Sequence, residues 1–187
     1  APENLAMLLE SAVRRRIPLV IGTTGFDDTQ GEAIRAAGRS IPIVWADNYS
    51  VGMTVFCRMA RLAAQALGED FDMEIVETHH NQKADAPSGT AKMILRNIDP
   101  AGTYTPVYGR EGRPGARGHE IGVHAVRGGT AAGQHSLLFL GRTEELELRH
   151  RADSREIFAC GALRAAAFAQ TAKPGLYDME DVLFGGA

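Results

Sequence analysis

The chain has 187 residues, and 44% of them are hydrophobic, enough to bury a large core in one or two domains. A formal charge of −3 gives no signal for a polyanionic partner, so nucleic-acid binding is not expected. The two cysteines, Cys57 and Cys160, are far apart and lack metal-ligand spacing; they read as buried free thiols suited to a reducing compartment. No apolar stretch is long enough for a membrane span, and the N-terminus has no charged-then-apolar signal, so a soluble cytoplasmic protein with no membrane partner is expected.

In chain order, Leu5, Leu8, Leu9, Ala12 and Val13 recur at helical spacing after Pro2, which predicts a helix over 2–16. Its end carries Arg14, Arg15 and Arg16, cations that suit the negative pole of a helix. The short apolar run 18–22 suits a buried parallel strand. Asp27 or Asp28 can cap the next helix, which Gly38 stops. A second buried strand is expected over 41–46, with Pro42 near its start where a missing N–H is tolerated. This rhythm is that of an open parallel sheet, the second half of a dinucleotide-binding fold.

A helix over about 50–67 should carry the chain into a second domain, with Val55, Met59, Leu62, Ala63, Ala66 and Leu67 on one face. Strands are expected over 71–76, 119–126, 134–140 and 143–150. The Gly-rich links between the last three imply mixed or antiparallel pairing. The alternation Glu145-Leu146-Glu147-Leu148 leaves one polar and one apolar face. Segment 109–118 holds four glycines and a proline and reads as a mobile surface loop. A last helix is expected over 155–170. The fold class is therefore α/β, a partial Rossmann-like parallel sheet plus a second α+β domain with an open mixed sheet.

The densest chemistry follows the 71–76 strand. Residues 77–91 hold Glu77, His79, His80, Lys83, Asp85 and the run Ser88-Gly89-Thr90-Ala91. Pro87 holds Ala86 extended, and Ser88 is a good N-cap, so the polar groups lie on a strand-to-helix loop. His119, His124, His135 and His150, each alone on its segment, read as packing or surface residues. A zinc site lacks a third ligand of suitable spacing, and Lys83 would repel a cation, so no metal is expected.

This stretch resembles the signature of the dihydrodipicolinate reductase family, Glu-x-His-His-x-x-Lys-x-Asp-x-Pro-Ser-Gly-Thr-Ala, with every fixed position filled from Glu77 to Ala91. Two further segments are similar to the family, 20–26 and 46–52, which there line the nicotinamide end of the cofactor cleft. The resemblance implies a reductase of 4-hydroxy-tetrahydrodipicolinate to tetrahydrodipicolinate that uses NADH or NADPH, in lysine and diaminopimelate biosynthesis. It implies His79 as acid/base, Lys83 as proton donor or electrostatic partner, and His80, Ser88, Gly89 and Thr90 as substrate contacts. It further implies cofactor contacts at Gly22, Thr23, Thr24, Ala46, Asp47, Asn48 and Tyr49. Asp47 departs from the small residue or proline expected there and adds a negative charge beside the nicotinamide.

The implied domains are residues 1–49, with 154–187 returning to them, and a substrate-binding and oligomerisation domain at 50–153. The family forms homotetramers through the sheet of that second domain. Its glycine-rich pyrophosphate turn precedes the part matched here, so the chain is expected to start after that turn and to be a piece of a longer enzyme. Two other readings stay open: a related NAD(P)-dependent dehydrogenase of another imino or amino dicarboxylate, and a noncatalytic assembly fragment.

Overall fold

A computed structural model describes residues 2–185; residues 1, 186 and 187, which fall within the expected domain limits, lie outside the described residues. In chain order the elements are α1 (Leu5–Arg15), β1 (Leu19–Ile21), α2 (Asp28–Gly38), β2 (Pro42–Trp45), α3 (Val51–Leu67), β3 (Asp72–His79) and α4 (Gly89–Ile98). There follow β4 (Thr105–Val107), β5 (Glu120–Arg127), β6 (Gly133–Leu140), β7 (Glu145–Ala152), α5 (Glu156–Thr171), β8 (Gly175–Tyr177) and α6 (Met179–Phe184). They form two compact units, one of the described residues up to Thr54 and from Glu156 onward, the other Val55–Arg155.

The first unit is a parallel three-stranded sheet in the order β1-β2-β8. Parallel strands are buried on both faces, which is why the predicted runs are continuously apolar rather than alternating. On one face Leu5, Leu9 and Ala12 of α1 and Ile34 of α2 pack with Ile21, Ile41 and Ile43. On the other, Val44 meets Ala165 and Ala169 of α5, Tyr49 and Met179. The helix starts are set by local chemistry. Asp27 accepts the Gln30 N–H at 2.8 Å while the Gln30 side chain accepts the Asp27 N–H at 3.1 Å, a complete capping box. The helix expected over 2–16 is a single 3₁₀ turn, Pro2–Asn4, followed by α1, and Arg16 ends it in the left-handed conformation.

The second unit is a five-stranded mixed sheet in the order β4-β5-β3-β6-β7. Central β3 pairs parallel with β5 and antiparallel with β6. Its burial alternates with period two, so Met73, Ile75, Glu77 and His79 share the inner face against which α4 packs. Ile121, Val123, Leu137 and Phe139 continue that face.

The opposite face carries Glu74, Val76 and Thr78, with His124 and Val126 of β5 beside them. Glu74 accepts hydrogen bonds from Arg110 at 2.9 and 3.1 Å, from His124 at 2.6 Å, and from Arg117. Burial alone would raise the Glu74 carboxyl, but these donors outweigh it and hold it down to about 2. Segment 109–118, expected to be a mobile loop, does lack helix and strand, yet Arg110 and Arg117 tie it at both ends to Glu74 and Glu120. The sheet-borne carboxylate that anchors it lies some forty residues upstream, out of reach of a local reading.

Candidate active site

The loop 80–88 begins where β3 runs out of partners, and its backbone is closed against the β5–β6 link. The His80 N–H donates to the Ala131 carbonyl at 2.9 Å, the Asn81 N–H to Gly129 at 3.2 Å, and the Gly128 N–H to His79 at 3.0 Å. A cis peptide joins Ala86 to Pro87. Ser88 then caps α4, its Oγ accepting the Ala91 N–H at 3.1 Å. So the loop delivers its side chains between a strand end and a helix N-terminus, a place suited to anionic ligands.

Glu77 organises the interior of this loop. It is fully buried. Its Oε2 lies 2.6 Å from His79 Nδ1 and accepts from Arg127 Nη1 at 2.8 Å; its Oε1 accepts the Ser88 N–H at 2.9 Å and Arg127 Nη2 at 2.8 Å. Four donors saturate the roughly four lone-pair sites of a carboxylate. Burial pushes the Glu77 carboxyl up, but the Arg127, His79 and Ser88 donors prevail and hold it below the usual carboxylate range. An ionised Glu77 can only accept, so His79 Nδ1 must carry a proton. The reactive capacity of the ring is thereby left on Nε2, which makes no hydrogen bond among the described residues.

Gly133 forms the wall beside that nitrogen. A Cβ there would approach His79 Nε2 to 3.0 Å, and the backbone has φ of +155°, so glycine suits the position on both counts. His135, two residues on, meets the His79 ring edge-on at 5.2 Å and places Nε2 3.3 Å from Ser88 Oγ, while its buried Nδ1 has no hydrogen-bond partner among the described residues. Burial, followed by repulsion from His79, lowers the His135 imidazole to about 4 from an ordinary 6.5. A histidine kept neutral in the fold contributes stability that is complete above the unfolded pKa and is lost as pH falls through the folded one. The gap from 6.5 to about 4, at about 1.4 kcal/mol per unit, predicts a loss of roughly 3 kcal/mol on acidification. Urea unfolding at a series of pH values should show that slope, and His135→Gln should flatten it.

The remaining candidates of this loop are spread around the same centre. Lys83 Nζ lies 2.8 Å from Asp85 Oδ1, and its ion pair with Lys83 keeps the Asp85 carboxyl low. His80 is half-buried and its carbonyl accepts the Lys83 N–H at 3.1 Å. Ser88 is buried with its N–H given to Glu77 and its hydroxyl to the cap, whereas Gly89 is exposed with nothing within 4 Å of a side chain built there. Thr90 stands in the first turn of α4.

Sequence reasoning brings Glu77, His79, His80, Lys83 and Ser88 together because they are contiguous. It misses Arg127 and His135. Arg127 reaches Glu77 only through the parallel register that sets His79 opposite Arg127, and His135 only through the antiparallel one that sets Glu77 opposite His135. Among the described residues no group of three His, Cys, Asp or Glu is placed to hold a metal ion. No helix among them is long and apolar enough to cross a membrane.

The first unit holds the other set of candidates at the C-terminal ends of β1 and β2. Tyr49 is buried, its hydroxyl 2.9 Å from the Ile21 carbonyl and 3.0 Å from that of Val44, so it ties the two strand ends together. Burial pushes this hydroxyl up to about 12, which leaves it a permanent donor. Asn48 Oδ1 accepts the Ser50 N–H at 2.8 Å and shapes the turn into α3. Gly22 and Thr24 are exposed, Thr23 and Ala46 half-buried, and Asp47 exposed. A Cβ on Gly22 would meet the Tyr49 ring at 3.2 Å, so the strand end keeps bare main chain over a buried ring. Bare main chain at the carboxyl end of a parallel strand is what open α/β sheets offer a nucleotide, so these residues fit the nicotinamide end of a cofactor.

Comparison with known proteins gives this arrangement its class. Residues 1–49 match the family model "Dihydrodipicolinate reductase, N-terminus" and residues 52–183 match "Dihydrodipicolinate reductase, C-terminus". Two of the most similar relatives carry the name 4-hydroxy-tetrahydrodipicolinate reductase. That of Akkermansia muciniphila is 49% identical over 94% of this chain and 74% of its own length, and that of Methanoregula boonei 47% identical over 94% and 69%. A solved structure of dipicolinate-bound dihydrodipicolinate reductase from Paenisporosarcina sp. TG-14 superposes with a TM-score of 0.80 at 28% identity, covering 98% of this chain and 71% of that one. The α/β architecture and these matches define a nicotinamide-dependent oxidoreductase. The chain belongs to the dihydrodipicolinate reductase family.

Proposed function

We propose that the chain reduces 4-hydroxy-tetrahydrodipicolinate to tetrahydrodipicolinate with NADH or NADPH, in the biosynthesis of diaminopimelate and lysine. The observation that carries this reading is an imidazole whose Nδ1 is held by a buried carboxylate, beside a helix N-terminus suited to a carboxylate ligand. The family membership supplies the substrate class. When bound, the nicotinamide cofactor supplies the hydride. Loss of the 4-hydroxyl as water makes the ring a conjugated imine, and hydride addition to that ring leaves negative charge on an enamine-like system, so a proton donor and a fixed cation are needed where that charge develops.

His79 answers the first need: Nε2 carries the proton that passes to the substrate, and Nδ1 keeps its own on Glu77. Lys83 answers the second, as a cation whose pairing with Asp85 fixes its position. His80 lines the substrate, and Ser88 shapes the seat whose N–H groups at Gly89 and Thr90 receive a substrate carboxylate. Gly22, Thr23, Thr24, Ala46, Asp47, Asn48 and Tyr49 form the nicotinamide end of the cofactor site in a domain of residues 1–49 and 154–187. Residues 50–153 form the substrate-binding and oligomerisation domain. The outer face of its mixed sheet, which exposes Val126 beside Thr78, joins four copies into a cytoplasmic homotetramer.

The carboxylate seat has a sharp test, since a side chain at position 89 meets nothing in the protein. Gly89→Val should leave the fold and the melting temperature close to wild type yet raise KM by roughly 10–10²-fold, the effect of removing ground-state and transition-state binding alike. Pyridine-2,6-dicarboxylate, the ligand of the related solved structure, should inhibit the wild type competitively and the variant much less. An unchanged KM would put the carboxylates elsewhere. Steady-state assay of the purified full-length protein with the cyclic imine and either nicotinamide tests the reaction itself, and no turnover with either would overturn it.

A further inference from the structure

The proposed chemistry needs one imidazole nitrogen and one helix mouth held in register, and both are tied to a single buried group. We propose that Glu77 is the positioning residue of the site: its carboxylate fixes the Nδ1–H tautomer of His79, aims Nε2 at the reacting ring, and pins the Ser88 N–H at the start of α4. This rests on the reading of His79 as the acid given above. Glu77 touches no substrate in this account and acts only through its neighbours.

Three features support it. A fully buried glutamate on the inner face of a sheet has a high desolvation cost, and a methionine or leucine would fill the same space without it. Here that group is retained with every lone pair used, and two of its four donors are elements of the candidate site. Arg127 bonds both carboxylate oxygens and also donates to the Asp85 carbonyl at 2.6 Å, so the clamp reaches the loop that carries Lys83. The carboxylate thus sets two distances at once, from the acid and from the substrate seat.

The electrostatic surroundings of His79 are few. Glu77 faces it from its own strand, Arg127 stands opposite on β5, and His135 abuts it from β6 with His150 beyond on β7. The loop contributes the Lys83–Asp85 pair, and α4 presents the uncharged Ser88 while Lys92 is exposed. Of these, Glu77 is the only anion within hydrogen-bond distance of the ring. Its loss should therefore leave Nδ1 without its acceptor and release the tautomer.

The test uses the full-length protein labelled with ¹⁵N-histidine, with His79 assigned by the signal that disappears in His79→Gln. Long-range ¹H–¹⁵N correlation of the wild type should show neutral His79 protonated on Nδ1. A wild-type His79 protonated on Nε2 overturns the proposal. In Glu77→Gln the amide oxygen can still accept from Ser88, so kcat should fall about 10²-fold with KM changed little, and the tautomer should become mixed or reversed. A Glu77→Gln variant with unaltered tautomer also overturns it. Should that variant not fold, the wild-type tautomer decides alone. The tautomer is read without turnover, so failure of the proposed reaction and failure of this positioning role give separable results.

Discussion

Replacing His79 by glutamine is expected to lower kcat by roughly 10²–10⁴-fold with a much smaller change in KM, the signature of a proton lost from the transition state and not of lost binding. Glutamine keeps a polar group near Glu77 and is close to the imidazole in size, so the far-ultraviolet circular dichroism should be unchanged. Lys83→Ala should depress kcat in the same direction, with the Asp85 carboxyl losing the ion pair that keeps it low. Stopped-flow measurement of nicotinamide oxidation separates hydride transfer from product release and shows which step slows. A His79→Gln enzyme with near-normal kcat would remove the imidazole from the reaction.

Arg127→Met is expected to have the largest effect on stability. Breaking a buried ion pair from one side leaves an uncompensated charge and costs about 3–5 kcal/mol. Glu77 is that charge, since its side chain is fully buried and Arg127 bonds both its oxygens. The pH dependence gives the sign. In the wild type the folded carboxyl is held below its ordinary 4.5, so its contribution is complete above that pH and is lost as pH falls through the folded value. Without Arg127, burial is opposed only by the His79 and Ser88 donors and the carboxyl rises, so the variant's penalty shrinks as acid protonates Glu77. The difference in unfolding free energy between the two proteins should therefore narrow as pH falls from neutral into the acid range. A difference constant with pH would mean that Glu77 is not the group left unpaired.

Legibility from sequence followed the range of the forces involved. Elements fixed by local pattern are readable: α1, α2 and α5 from apolar spacing and caps, and β3, β5, β6 and β7 from alternation or apolar runs between glycines; α3 is readable in extent only, since the expected apolar face leaves Val55, Met59 and Leu62 exposed while Met53, Phe56, Cys57 and Ala60 are the buried ones. Short elements that owe their state to a neighbour are not. Gly175–Tyr177 is a strand because it pairs with Pro42–Val44, and Thr105–Val107 because it pairs with β5; neither has a periodicity of its own. The candidate site divides the same way. Glu77, His79, Lys83 and Ser88 are contiguous and were visible as a cluster, and the two-residue step from Glu77 to His79 already puts both on one face of a strand. Arg127 and His135 come from strands fifty residues on, and only the register of the sheet delivers them.

The place of β8 also orders the birth of the molecule. Residues 55–155 are one unbroken stretch, so all five strands of the mixed sheet are synthesised before β8. The parallel sheet is different: β2 lies between β1 and β8, and β8 is made more than 120 residues after β2. Until residues 175–177 emerge, the hydrogen-bonding edge of Pro42–Trp45 that β8 will cover has no partner. Synthesis from the N-terminus therefore lets the contiguous unit pair its strands first and leaves the divided one open to mispairing or chaperone capture until β8 arrives.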